Sequence, residues 1–166
     1  MLMYGLYAAD FVEEGYEIFK EIFDLSTDSA RALVFPGIPS YFEPEDRGAY
    51  AYLTGSSTWL LLALTTQIFG VDGRFGNLVL HPRLNASFFN ENGRATLRRN
   101  FRDLRLEVQY VNHSKMSYPD YTIRAVTING QLQKNLGPQK GSVTIPYSGL
   151  AEICKDGSCV IEVMLK

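Results

Sequence analysis

At Gly76 the apolar residues change from a helical spacing to an alternation of two, so this chain has to join a helical part to a sheet. Upstream, Val12, Tyr16, Phe19 and Phe23 recur at i, i+4, i+7 and i+11, while Glu13, Glu14, Glu17 and Lys20 keep to the wetter side. That spacing predicts an amphipathic helix over about 8–25. A second helix is expected from Thr54, whose hydroxyl can cap free N–H groups, to Phe69, where Gly70 supplies a stop. Its Trp59-Leu60-Leu61-Leu62-Ala63-Leu64 core is apolar on every side, which suits a helix meant to be surrounded. Between the helices, residues 26–47 hold Pro36, Pro39 and Pro44 and read as a long loop.

Downstream, Leu104, Leu106, Val108 and Tyr110 alternate with Arg105, Glu107, Gln109 and Val111, and segments 121–128 and 142–145 continue the strand pattern. Asn129-Gly130 marks a two-residue hairpin, because both central positions of a type I′ turn need positive φ. Asp156-Gly157, between Ile153-Cys154 and Cys159-Val160-Ile161, reads as another. The expected class is α+β: a helical segment over 1–73, then an antiparallel β-sandwich over 74–166. The 166 residues, 46% of them hydrophobic, suffice for a real core.

Eighteen acidic and sixteen basic residues give a net charge of -2, so no global field draws a polyanion, and a nucleic-acid partner is not expected. The segment 1–14 has no basic start and runs into Asp10, Glu13 and Glu14, which argues against a signal peptide and for the cytoplasm. The apolar run from Trp59 is too short to span a bilayer. The sequons at Asn85 and Asn112 matter only in a secreted chain. In a reducing compartment Cys154 and Cys159 are expected as free thiols.

The segment richest in information is Phe35-Pro36-Gly37-Ile38-Pro39-Ser40-Tyr41-Phe42, followed by Arg47-Gly48 and Tyr52-Leu53-Thr54-Gly55-Ser56-Ser57-Thr58-Trp59. Thr-Gly-Ser at a helix start offers unpaired N–H groups, a hydroxyl and close backbone access, which together suit phosphate or another anion. The same residues also serve as an ordinary helix cap.

These segments, with Phe69-Gly70-Val71 and Leu78-Val79-Leu80-His81-Pro82-Arg83-Leu84, resemble the last part of the family-94 glycoside phosphorylases, formerly glycosyltransferase family 36. The similarity runs from about 15 to 130 and is densest over 35–84. It implies that 8–70 match the last helices of an (α/α)6 barrel and 76–166 the C-terminal β domain. It also implies reversible, inverting phosphorolysis of β-linked glucosides to a sugar 1-phosphate, with phosphate as co-substrate and no cofactor. The family's phosphate-contacting Thr-Gly pair falls on Thr54 and Gly55, and the substrate loop on Tyr41, Arg47 and Ser56. The family's catalytic Asp precedes the matched segment, so the chain is expected to be silent alone and to partner carbohydrate, phosphate, a barrel portion or a second copy. Many members carry a His where this chain has Ile22-Phe23-Asp24-Leu25-Ser26-Thr27. A reading of another class is a non-catalytic carbohydrate-binding or assembly domain whose aromatic β surface contacts glycan.

Other residues carry less. Glu43, Glu45 and Asp46 fit a solvated acidic loop better than acid/base chemistry. Arg94, Arg98, Arg99, Arg102 and Arg105 cluster in sequence, but alternation is expected to put Arg98 and Arg102 on one side and Arg99 and Arg105 on the other. His81 and His113 lack neighbours at metal-ligand spacing, and no metal site is expected.

Overall fold

The computed structural model describes residues 1–34, 37–50, 55–136 and 140–166. They are α+β and fall into two compact units, Met1–Leu64 and Thr65–Lys166. Segment 65–73 thus belongs with the sheets. Phe69 packs near the Phe88 and Tyr110 rings, and the Tyr110 hydroxyl donates to the Phe69 carbonyl at 2.7 Å.

The first unit opens with α1 (Leu2–Ala8) and α2 (Val12–Thr27), where the sequence pattern suggested one helix from residue 8. The break is a Schellman-type cap: Asp10 takes φ 69, its N–H reaches the Tyr7 carbonyl, and the Phe11 N–H reaches that of Leu6. An Asp in the position usually held by Gly hid this stop. Where α1 meets α2, a Cβ on Gly15 would lie 2.6 Å from the ring of Tyr7, which is fully buried.

The expected loop contains short structure. Asp28 caps α3 (Ser29–Ala32) through the Ala30 N–H, and β1 (Tyr41–Phe42) pairs antiparallel with β2 (Gly48–Ala49). Gly48 is required there, since a Cβ would stand 2.1 Å from the Ala32 carbonyl oxygen. The second expected helix appears as α4 (Ser56–Ala63), which continues as a π turn over Leu64–Ile68 and stops at Gly70 with φ 61. Its apolar side chains are not all surrounded: Leu61 is 60% and Leu62 41% exposed.

The second unit contains β3 (Val71–Arg74), β4 (Asn77–Leu80), β5 (Arg94–Phe101), β6 (Leu104–Val111), β7 (Ile123–Ile128), β8 (Gln131–Leu132), β9 (Val143–Ile145), α5 (Tyr147–Ile153) and β10 (Ser158–Leu165). One antiparallel sheet has the order β3-β4-β9; the other runs β5-β6-β10-β7-β8. The expectation of purely antiparallel strands is corrected, because β10 runs parallel to β6 and antiparallel to β7. The reason is α5. Asp156-Gly157 does not turn one strand into the next but delivers this helix into β10. Cys154, at the end of α5, and Cys159, on β10, are joined in a disulfide, correcting the free thiols expected from the compartment argument.

Alternation fills the larger sheet's inner face with Leu104, Leu106, Val108 and Tyr110 from β6 and Cys159, Ile161, Val163 and Leu165 from β10, all buried. Asn129 (φ 46) and Gly130 (φ 79) form the anticipated tight turn between β7 and β8. The buried Tyr121 hydroxyl accepts the Leu84 N–H at 2.7 Å and donates to the Pro82 carbonyl at 3.2 Å, fixing the segment after β4.

Candidate functional site

Within the first unit, α1, α2, the segment entering β1 and the start of α4 enclose an open cavity of about 470 Å³. Met1 to Tyr4 form one side, Ile18 and Ile22 of α2 a second, Ile38 to Phe42 a third, and Gly55, Ser56, Trp59 and Leu60 the fourth. The α2 contribution follows from its period, since Ile18 and Ile22 are one turn apart on one face. Tyr4 meets Trp59 edge to face, with ring centroids 6.0 Å apart and planes at 80°.

The structure brings three of the expected site residues to this cavity. Tyr41 lies on β1 and is exposed, Gly55 is the residue preceding α4, and Ser56 is the first residue of that helix. Gly55 has φ -67 and ψ -7 and no side chain with which to cap, and its carbonyl accepts the Trp59 N–H at 2.8 Å. A Cβ on Gly55 would stand 3.4 Å from Trp59 Cδ1, so Ala would just touch the cavity wall and a branched side chain would enter it. Thr54 lies outside the described residues. Arg47 sits in the exposed turn between β1 and β2 and does not line the cavity.

Two contributors were not singled out from the sequence. Trp59 belongs to the resembling block and to the apolar helix but carries no site role in the sequence, and Ser40 is an unassigned position between Pro39 and Tyr41. The Ser40 Oγ is buried at the cavity wall and has no hydrogen-bond partner among the described residues, while its backbone N–H reaches the Tyr50 carbonyl at 3.4 Å. A buried hydroxyl in this state is a donor and acceptor with unused capacity. Its place between Pro39 and Tyr41 carries no signal of this in the sequence.

The nearby charges are structural. Arg31 bridges Asp28 at 3.3 Å and Asp46 at 3.4 Å, and the Glu43 N–H bonds the Arg47 carbonyl to close the β1–β2 turn. Asp46 is therefore held on Arg31 at the surface, as a solvated loop acid.

In the second unit the arginines divide differently from expectation. The β5–β6 register puts Arg98 opposite Glu107 and Arg105 opposite Asn100, so Arg98 and Arg105 share one face. Arg98 donates to Glu107 at 2.7 Å and holds that carboxyl below its ordinary range. Arg99 turns to the other face and donates to the Val71 carbonyl at 2.6 Å, while Arg102 lies in the turn. Arg94 bridges Gln109 and Glu162 at 2.7 and 3.0 Å. Arg94, Arg98 and Arg99 are thus individually engaged and do not act as one basic patch. His81 packs edge-on to Tyr118, His113 is exposed, and among the described residues no His, Cys, Asp or Glu group could hold a metal ion. No described helix is long and apolar enough to cross a membrane.

No protein-family model matches the chain, and no curated protein matches its sequence.

Proposed function

We propose that this chain forms the phosphate end of an inverting glycoside phosphorylase acting on β-linked glucosides, as part of a larger active site. In this reading α1, α2 and α4 are the closing helices of an (α/α)6 barrel, and the two sheets are its C-terminal β-sandwich domain. The observation that carries it is the single cavity on which Tyr41, Gly55 and Ser56 meet, because they come from the two segments that carry the family resemblance. The start of α4 has no acidic residue in its first turn and no side-chain cap, and it carries the positive end of the helix dipole. Phosphate held there needs no general base, since it is already anionic near neutral pH. The protein has only to keep it in line with the anomeric carbon while an acid on the opposite face protonates the leaving oxygen. That acid comes from the barrel portion, which docks on the exposed apolar side chains of α4; a second copy covers what remains. The cytoplasm is the compartment this reading assigns.

The test combines the chain with a barrel portion carrying the catalytic Asp and measures phosphate-dependent release of glucose 1-phosphate from cellobiose. Turnover should require both parts and should fall with Gly55→Val. Turnover by the purified chain alone, abolished by Glu45→Gln or Asp46→Asn, sinks the proposal. Light scattering of the chain alone should show self-association, and a clean monomer refutes the second-copy interface.

A further inference from the structure

At one end of the second unit two hairpin tips lie side by side. The β3–β4 turn is Phe75-Gly76, closed by the Arg74–Asn77 pair, with φ 49 and 79. These are the left-handed values of a type I′ turn, which favours Asn-Gly and rarely accepts a bulky residue first. Phe75 is nevertheless there, and it is 104% exposed, so neither face of its ring is covered. The β5–β6 turn is Arg102-Asp103, closed by Phe101–Leu104, and Arg102 also has a positive φ of 55.

The tips are contiguous. A Cβ on Gly76 would lie 3.8 Å from Arg102 Nη1, and the Arg102 guanidinium stacks on the Tyr147 ring, 3.8 Å from its centroid. The Tyr147 hydroxyl donates to Asp103 and holds that carboxyl below its ordinary range. Arg74, at the base of the first tip, is exposed.

We infer that this end of the second unit is a carbohydrate-contact site, in which a sugar ring lies on Phe75 and its hydroxyls bond Arg74, Arg102 and Asp103. A pyranose presents an apolar C–H face and a rim of hydroxyls that both donate and accept. The tips present the complement: one uncovered aromatic platform, two guanidinium donors and one carboxylate acceptor. Arg102 is held in place by its stacking on Tyr147, and Asp103 by the Tyr147 hydroxyl, so little ordering remains to be done on binding. An anionic membrane is disfavoured because Asp103 offsets one of the two arginines, which leaves the tips far short of the basic cluster such a surface requires. A protein socket is disfavoured because Phe75 stands alone and fully exposed, whereas interface anchors sit within well-packed patches. The site uses no residue of the first unit and does not rest on the phosphate reading.

The experiment is a titration of the ¹⁵N-labelled chain with cellotetraose, followed by amide shifts, for the native chain, Phe75→Asn and Phe75→Trp. Asn suits the turn, so loss of binding by Phe75→Asn is not loss of the fold. Shifts should centre on residues 74–76 and 102–103. Phe75→Asn should weaken binding at least about tenfold, equivalent to about 1.4 kcal/mol. Phe75→Trp should bind at least as well as the native chain, and inorganic phosphate should change nothing. The inference is overturned by equal binding in Phe75→Asn, by the absence of shifts at the tips, or by tip shifts with phosphatidylserine vesicles and none with sugar. Its failure leaves the phosphate assay untouched, because the two readouts share no residue.

Discussion

Replacing Gly15 by Ala sets two effects of opposite sign against each other. Gly15 lies inside α2, where Ala is favoured over Gly by about 1 kcal/mol, so helix propensity alone predicts a more stable variant. The new methyl, however, would stand 2.6 and 2.7 Å from two carbons of the fully buried Tyr7 ring, well inside van der Waals contact. Overpacking of this kind costs about 1–3 kcal/mol, and Tyr7 has no solvent into which to swing, so the upper end applies. The net expectation is a first unit less stable by about 2 kcal/mol, or about 2 M in urea midpoint at a slope of about 1 kcal/mol per M. Trp59, the chain's one tryptophan, reports on this unit through its contact with Tyr4 of α1, so its emission should shift at lower urea. The internal control is Gly5→Ala in α1. Nothing lies within 4 Å of that Cβ, so the same substitution should be stabilising by up to about 1 kcal/mol. An unchanged or raised midpoint for Gly15→Ala would mean that α1 does not seat Tyr7 on α2, and the description of the cavity walls would fall with it.

Tyr110→Phe should cost about 1–3 kcal/mol, since it orphans the buried Phe69 carbonyl. Burial raises the Tyr110 pKa well above its ordinary value, so its share of stability is full below about pH 10 and is lost as pH rises beyond that. Alkaline unfolding should therefore be less steep in Tyr110→Phe, and an identical pH profile refutes this. Replacing both Cys154 and Cys159 by Ala should lower stability by about 2 kcal/mol for so short a loop; two reactive thiols in the unreduced, urea-unfolded chain would count against the disulfide. Phe75→Asn should raise the melting midpoint by relieving about 1–2 kcal/mol of left-handed strain, and a lower midpoint would show that Phe75 packs in the folded chain.

Much of this was readable in the residues. The alternation from Leu104 to Tyr110 and the Asn129-Gly130 turn are local signals whose physics is complete within a few residues, and both appear where expected. The break at Asp10 was hidden because an Asp in the left-handed region leaves no distinctive mark, whereas Gly70 at φ 61 did. The parallel pairing of β10 with β6 was not legible at all. It depends on α5 folding from a run containing Ser148 and Gly149, residues that favour turns over helices when read singly. At the cavity, Tyr41, Gly55 and Ser56 could be proposed from the motifs, but Ser40 could not, since a hydroxyl without a partner is a property of packing.

The place of β10 has a consequence for how the protein is made. This strand lies between β6 and β7 at the centre of the larger sheet, yet the ribosome completes it after every other strand there. At about 5–20 residues per second, the nascent chain spends seconds with β6 and β7 finished and each lacking its shared neighbour. During that interval two rows of backbone donors and acceptors, beside Val108 and Val126, are open to pairing with another nascent chain. Slower translation across the codons for residues 129–165 lengthens that interval and should raise the aggregated share of the product.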